Sequence, residues 1–302
     1  MAKAGLDDYP LRPEERGEWP ILWSKGPKDP PRRAVRTLWR ATLTTTLVAV
    51  RAPRVLVAYD GTDKAEIALE AVASLGWPAG TCIRVVAVRD DHLRLLRPLV
   101  DEQPFVELEE ALVWAANHLA ADLPSNVAIE RRLLRGAALP AIVAEAEELG
   151  ADLVVLGSRN RGPMRSAIFG SVGRDLVARA DRPVLIARGD RLDRVLLAHD
   201  GSDAARTAVR MLGSWPVFSR ATVKLFSVAH TQPGSATGQI LTAAALDETN
   251  LIVLGSAVAH GLDWRLHGDL ADGLVPRTHC SLLVVPASAR VELTLAEAAR
   301  SG

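Results

Sequence analysis

The sequence predicts an α/β protein built from two tandem doubly wound parallel-sheet domains, the second shortened by one helix and one strand. Three observations carry that prediction. Short β-branched runs alternate with helix-length amphipathic stretches, which implies a parallel sheet covered on both faces and right-handed crossovers. The chain also repeats itself: Val55-Leu-Val-Ala-Tyr-Asp60-Gly61-Thr62 matches Val195-Leu-Leu-Ala-His-Asp200-Gly201-Ser202. In the same order, Ala151-Asp-Leu-Val-Val-Leu-Gly157-Ser158 matches Thr249-Asn-Leu-Ile-Val-Leu-Gly255-Ser256, and Arg182-Pro-Val-Leu-Ile matches Cys280-Ser-Leu-Leu-Val. Finally, 302 residues at about 150 per domain make about two domains.

Residues 1–53 match neither copy and form an N-terminal arm. Pro and charged residues dominate up to Pro30, with Trp19 and Trp23 among them, whereas Pro31 to Arg54 carries Arg32, Arg33, Arg36, Arg40, Arg51 and Arg54 without an acid. That stripe reads as a solvated face before it reads as an anion site. Residues 41–50 are strand-like in composition and would add an edge to a sheet.

The first copy occupies residues 54–190. Its strands are expected at Val55–Ala58, Cys82–Val88, Val127–Leu133, Leu153–Leu156 and Val184–Ala187, each a short apolar run with the continuity of a strand buried on both faces. Asp63 with Glu66 three residues on predicts a capped helix start. A second helix is expected from Pro104 to Ala121, a third near Pro140 and a fourth from Gly170-Ser171. The second copy, residues 191–302, lacks the counterparts of the second helix and third strand. Its second strand ends near Val228, followed by a flexible Thr231–Gly238 and then the next helix.

Composition excludes several classes. Lys plus Arg equals Asp plus Glu, 36 each, so no specific nucleic-acid partner is indicated. Cys82 and Cys280 are the two cysteines, too few for a disulfide framework or a zinc site and suited to a reducing, cytoplasmic setting. Apolar runs are far shorter than the roughly 20 residues of a membrane span, and the N-terminus lacks a signal-peptide core. No phosphate loop of the G-x-x-x-x-G-K-[ST] type and no G-x-G-x-x-G fingerprint occur. The seven histidines form no metal-binding group, so no catalytic residue or metal ligand is assigned.

The segment between the fourth strand and the fourth helix, Gly157-Ser-Arg-Asn160-Arg-Gly-Pro-Met-Arg165-Ser-Ala-Ile-Phe-Gly170-Ser171-Val172, is longer than the usual connection of about 2–6 residues. Glycines permit close backbone approach, free N–H groups at a helix start favour an anion, and Arg159, Arg161 and Arg165 make the rim positive. A plain N-cap at Gly170-Ser171 with solvated arginines fits the same residues.

Around these motifs the chain resembles the universal stress protein family in its tandem form. The resemblance rests on Asp60-Gly61-Thr62, Arg135-Gly136, Ala151 to Ser158 and Arg182-Pro183-Val184, all in family order. It implies an adenine-nucleotide α-hydrolase-like, Rossmann-like fold. The family's nucleotide-binding branch carries Gly, two residues, Gly, nine residues, Gly, then Ser or Thr. Gly157, Gly170 and Ser171 fit that pattern, and Asn160 replaces the second glycine. Asn tolerates positive φ, so the turn survives, while its side chain crowds the phosphates and lowers affinity.

By the same resemblance Asp60 accepts a hydrogen bond from adenine, Val88 contacts the adenosine and Gly157 lines the ribose. Gly170, Ser171 and Val172 supply donors to phosphate, and Ala58, Gly61 and Leu156 complete the pocket. The implied cofactor is ATP or another adenine nucleotide, with Mg2+ as a companion of the phosphates although no carboxylate cage is visible.

In the second copy Val258 takes the second glycine's place and Asp269 the serine's, so a carboxylate stands where a phosphate would sit. That copy is expected to bind no nucleotide and to pack as the other half of a pseudo-dimer. The leading expectation is a stress-response binding module with an unidentified regulatory partner. A nucleotide-free scaffold comes second and a slow ATP hydrolase third, and a homodimer stays open beside the internal pseudo-dimer.

Overall fold

A computed structural model of the chain describes residues 39–42, 52–89, 108–158, 173, 175–177, 181–227, 235–256, 273–274 and 277–289. The strands are β1 (Trp39–Thr42), β2 (Arg54–Ala58), β3 (Cys82–Arg89), β4 (Ala128–Arg135), β5 (Leu153–Gly157), β6 (Val184–Ala187), β7 (Arg194–His199), β8 (Thr222–Ser227), β9 (Leu251–Ser256) and β10 (Ser281–Pro286). The helices are α1 (Asp63–Ala73), α2 (Leu108–Asp122), α3 (Ala138–Leu149), α4 (Asp203–Ser214) and α5 (Ser235–Leu246), with a 3-10 turn at Pro216–Phe218.

All ten strands form one sheet in the order β1-β8-β7-β9-β10-β6-β5-β2-β3-β4. From β2 the first half winds outward through β3 to β4, then returns to the other side of β2 for β5 and β6, every pair parallel. The second half repeats the course as β7, β8, then β9 and β10 on the other side of β7. The halves join where β10 runs antiparallel to β6, with Leu283 opposite Leu185. The outer edge of β8, where a counterpart of β4 would stand, is paired with β1, antiparallel, from Trp39 opposite Leu225 to Thr42 opposite Thr222.

Alternation along the strands explains the two cores. Val55, Val57 and Tyr59 face α1 and α2, in a cluster that runs on to Met211 and Leu212 of α4. Leu56 faces the other way, with Ile142 and Ala146 of α3, Ile240 of α5 and the helical Leu176. Both clusters span both halves, so the sheet is a single buried layer. Each fully buried side chain such as Leu69, Ile83 or Leu196 contributes about 1.5–3 kcal/mol relative to exposure.

Helix ends follow from local chemistry, with corrections to the expected starts. Thr62, not Asp63, caps α1: the Thr62 side chain accepts from the Ala65 N–H, and Asp63 sits in the first turn, where its charge suits the helix dipole. Pro140 occupies the third position of α3, where its missing N–H is one the helix leaves unused. Gly150, at φ 61°, ends that helix in the left-handed region. Arg54, counted above in a solvated stripe, instead donates to the Leu149 carbonyl of α3 at 2.9 Å.

Ser235 to Gly238, expected as part of a flexible stretch, forms the first turn of α5. Small polar residues are tolerated there because first-turn N–H groups have no intrahelical partner. The start of α2 is at Leu108, and Pro104 lies outside the described residues, as do residues 43–50 and Val228. Among the described residues no helix is long and apolar enough to cross a membrane.

Candidate functional site at the strand-order reversal

In the first half the strand order reverses between β2 and β5, and doubly wound sheets bind ligands beyond the carboxyl ends of strands at such a reversal. Ala58 ends β2 and is opposite Val86 on β3 and Leu156 on β5. The chain continues through Tyr59, whose N–H donates to the Val86 carbonyl at 2.8 Å. Gly61 then turns it at φ 78°, a region that favours glycine. The exposed Asp60 carboxylate accepts through Oδ1 from the Thr62 N–H at 3.1 Å and from Thr62 Oγ1 at 2.6 Å. It orients the turn rather than capping α1, and a carboxylate has lone pairs left for another donor.

The fold therefore gathers Ala58, Asp60, Gly61, Val88, Leu156 and Gly157 at one end of β2, β3 and β5. Asn160, Gly170, Ser171 and Val172 lie outside the described residues, together with Arg159, Arg161 and Arg165. Helical conformation is described just beyond them at Gly173 and at residues 175–177. For Gly157 packing supplies a reason of its own, because a Cβ there would stand 1.7 Å from the Lys64 carbonyl oxygen. The first turn of α1 rests directly on the end of β5.

Tyr59 was not singled out as a site residue. It is 4% exposed, and its ring stacks on Trp114 of α2 at 6.2 Å, which stacks in turn on His118 at 5.0 Å. Burial, then the Glu66 and Asp60 carboxylates, push its hydroxyl up to about 12. The alternation Val55, Val57, Tyr59 was the signal that put it on the α2 face. Asp63 and the cation Lys64 lie in the same turn as the Asp60 and Glu66 carboxylates. Trp114 also lines a shallow groove with Glu109, Glu110, Val113 and Asn117 on α2.

The second half builds the same turn and closes it differently. Asp200 Oδ1 accepts from the Ser202 N–H at 2.9 Å, Ser202 caps α4, and Gly201 has φ 85°. A Cβ on Gly255 would stand 2.2 Å from Ala205 N, the counterpart of the Gly157 approach. Where the first half has Glu66, the second has Arg206, which donates to the Gly201 carbonyl at 2.7 Å and pairs with Asp203. His199 stands in place of Tyr59 and accepts from the Gly201 N–H at 3.1 Å. Burial pushes its imidazole below the ordinary value, Arg206 adds to the effect and Asp200 opposes it. Val258 and Asp269 lie outside the described residues.

Cys82 and Cys280 are free and half-buried, and burial pushes both thiols up. No group of three metal-ligating side chains gathers among the described residues.

Comparison with known proteins agrees with this architecture. A model of the universal stress protein family matches residues 52–188. The universal stress protein in the QAH/OAS sulfhydrylase 3′ region of Thermus aquaticus is 33% identical over 138 residues, 44% of this chain and 97% of that protein. The stress response protein NhaX of Bacillus subtilis is 26% identical over 163 residues, 45% of this chain and 98% of its own length. The crystal structure of a universal stress protein from Archaeoglobus fulgidus superposes with a TM-score of 0.62 at 17% identity, covering 79% of this chain and all of that one. The chain belongs to the universal stress protein family.

Proposed function

We propose that the first half binds one adenine nucleotide, ATP or a close relative, and that the chain works as a stress-response binding module whose occupancy changes partner choice. The observation that carries this reading is the gathering of Ala58, Asp60, Gly61, Val88, Leu156 and Gly157 at the strand-order reversal. Asp60, already oriented by Thr62, accepts from the adenine amino group, and Ala58 and Val88 border the base. The Asp60 and Glu66 carboxylates suit the donor edge of a base better than they suit phosphate. In this reading the phosphates are met by Gly170, Ser171 and Val172 and by the arginines at 159, 161 and 165. Magnesium accompanies the phosphates as their counter-ion. The chain supplies binding and orientation, and no side chain is assigned to cleave the nucleotide.

The second half binds none in this reading. Arg206 ties down the turn that Asp200 would open to a base, and in sequence Asp269 takes the place of Ser171, a carboxylate that would repel phosphate. Its role is to complete the sheet and hold partners. A nucleotide-free scaffold is the second reading, favoured by the continuous join of β6 and β10.

Calorimetric titration of ATP with magnesium into the full chain tests the proposal. One site per chain is expected, lost in Gly170→Asp and in Ser171→Asp while thermal stability of the ligand-free protein is kept. Absence of heat and of a thermal shift at millimolar ATP would overturn it in favour of the scaffold.

A further inference from the structure

Among the described residues the second half has no counterpart of β4, which in the first half pairs with β3 along eight residues from Cys82 opposite Ala128 to Arg89 opposite Arg135. An unpaired edge of β8 would present a row of open N–H and C=O groups to any passing strand. Residues Trp39–Thr42 fill that place.

The connection from β1 to β2 is short for the distance it has to cover. β2 stands seven strand steps from β1 in the sheet, roughly 34 Å of lateral separation at about 4.8 Å per step. Residues 43–53 separate Thr42 from Arg54, and twelve Cα steps of fully extended chain reach only about 40–43 Å. Between the two strands one face carries α4 on β7, β9 and β10 and α1 on β5 and β6. α5 and the helical Leu176 and Val177 pack on the other face. A helix is about 10 Å across with its side chains, so a detour around one consumes the remaining slack. A connection with so little spare length favours exchange of an element between identical chains, which can keep the β1–β8 pairing without this span.

We propose that β1 is exchanged, so that residues 39–42 of one chain close the β8 edge of a second copy and the N-terminal segment is a dimerisation element. The partner is this chain itself, and reciprocal exchange closes the pair with no β8 edge left open.

Disulfide trapping in the full chain decides the matter, with Cys82→Ser and Cys280→Ser as the background. One chain carries Ala41→Cys and a co-expressed chain carries Val223→Cys, register partners in β1 and β8, so that a bond between them joins two chains. Thr42→Cys with Thr222→Cys is run in parallel, because successive antiparallel pairs alternate in separation. A disulfide-linked dimer as the main oxidised species, for at least one pair, is the expected result. Crosslinking confined to single chains when both cysteines are placed in one molecule would overturn the exchange, and so would no crosslink for either pair in either format. Inserting about 15 Gly/Ser residues after Thr42 should raise the dimer dissociation constant at least tenfold by sedimentation, since longer hinges disfavour swapping. An unchanged constant would also count against the proposal.

Discussion

The turn Asp60-Gly61-Thr62 and the turn Asp200-Gly201-Ser202 share a backbone and differ in everything a ligand would meet. Both glycines lie at positive φ, both hydroxyl residues cap the next helix, and both facing glycines, Gly157 and Gly255, admit helix backbone where a Cβ has no room. These are demands of packing, and each half has to meet them whether or not it binds a ligand. The other positions diverge. Glu66 becomes Arg206, Tyr59 becomes His199, and the open Asp60 turn becomes one held by Arg206 and His199. Strand-end motifs therefore report the fold in both halves, whereas the residues around them give the two turns different chemistry.

The largest effect should come from the shared feature. Gly157→Ala and Gly255→Ala each press a methyl group into helix backbone, and both are expected to cost about 3 kcal/mol in urea denaturation, the upper end of ordinary overpacking. Full stability in Gly157→Ala with loss of nucleotide alone would mean that ligand, not packing, set that residue, and the equivalence of the halves would break.

The next effect separates the halves. Arg84 on β3 and Lys224 on β8 occupy matching strand positions, but Arg84 shares the buried Glu145 with Arg132, whereas Lys224 meets the nearly buried Asp247. Lys224→Met should cost about 3 kcal/mol at neutral pH because it strips Asp247 of this cation. Arg84→Met should cost about 1 kcal/mol, since Glu145 keeps Arg132, which is itself half exposed. Equal losses in chemical denaturation would show that Arg132 does not share the load.

The smallest effect is in pH dependence, where matching positions act at opposite ends of the scale. The Tyr59 hydroxyl is held up to about 12, so the folded chain keeps a proton that the unfolded chain releases near pH 10. Its contribution to stability is whole below that pH and is lost as pH rises towards about 12. The His199 imidazole is held below its ordinary 6.5, so its contribution is whole above pH 6.5 and is lost as pH falls through the lowered value. Melting temperatures across pH should show Tyr59→Phe flattening the alkaline limb and His199→Gln the acid limb. Either variant altering both limbs would mean that the two positions are coupled.

Much of the fold was legible in the chain. β6 spans the residues its apolar run marks, and β2, β3 and β5 differ from theirs by one residue at an end, because continuous β-branched stretches have few other low-energy uses in water. The cap of α1 was misplaced by one residue, since Thr62 and Asp63 are both good N-caps and only backbone geometry separates them. At the site, Asp60, Gly61 and Gly157 stood out because turns and close approaches restrict residue type. Tyr59 and Arg206 did not, because their roles depend on partners: Trp114 lies 55 positions from Tyr59 in the sequence, and Arg206 matters only once its helix is set against the Gly201 carbonyl.

The sequence by itself determined the α/β class, the duplication and the glycine-bearing turns, because each is written in short local motifs that can be matched one against another along the chain. Only the tertiary structure decided that β6 and β10 weld the halves into one sheet, that residues 39–42 take the vacant edge, and that Lys224 and Arg84 find different acids. The physical reason is the same in each case. Strand edges and charged side chains accept many partners of equal local chemistry, and the choice among them falls to whichever brings the most apolar surface out of water at once.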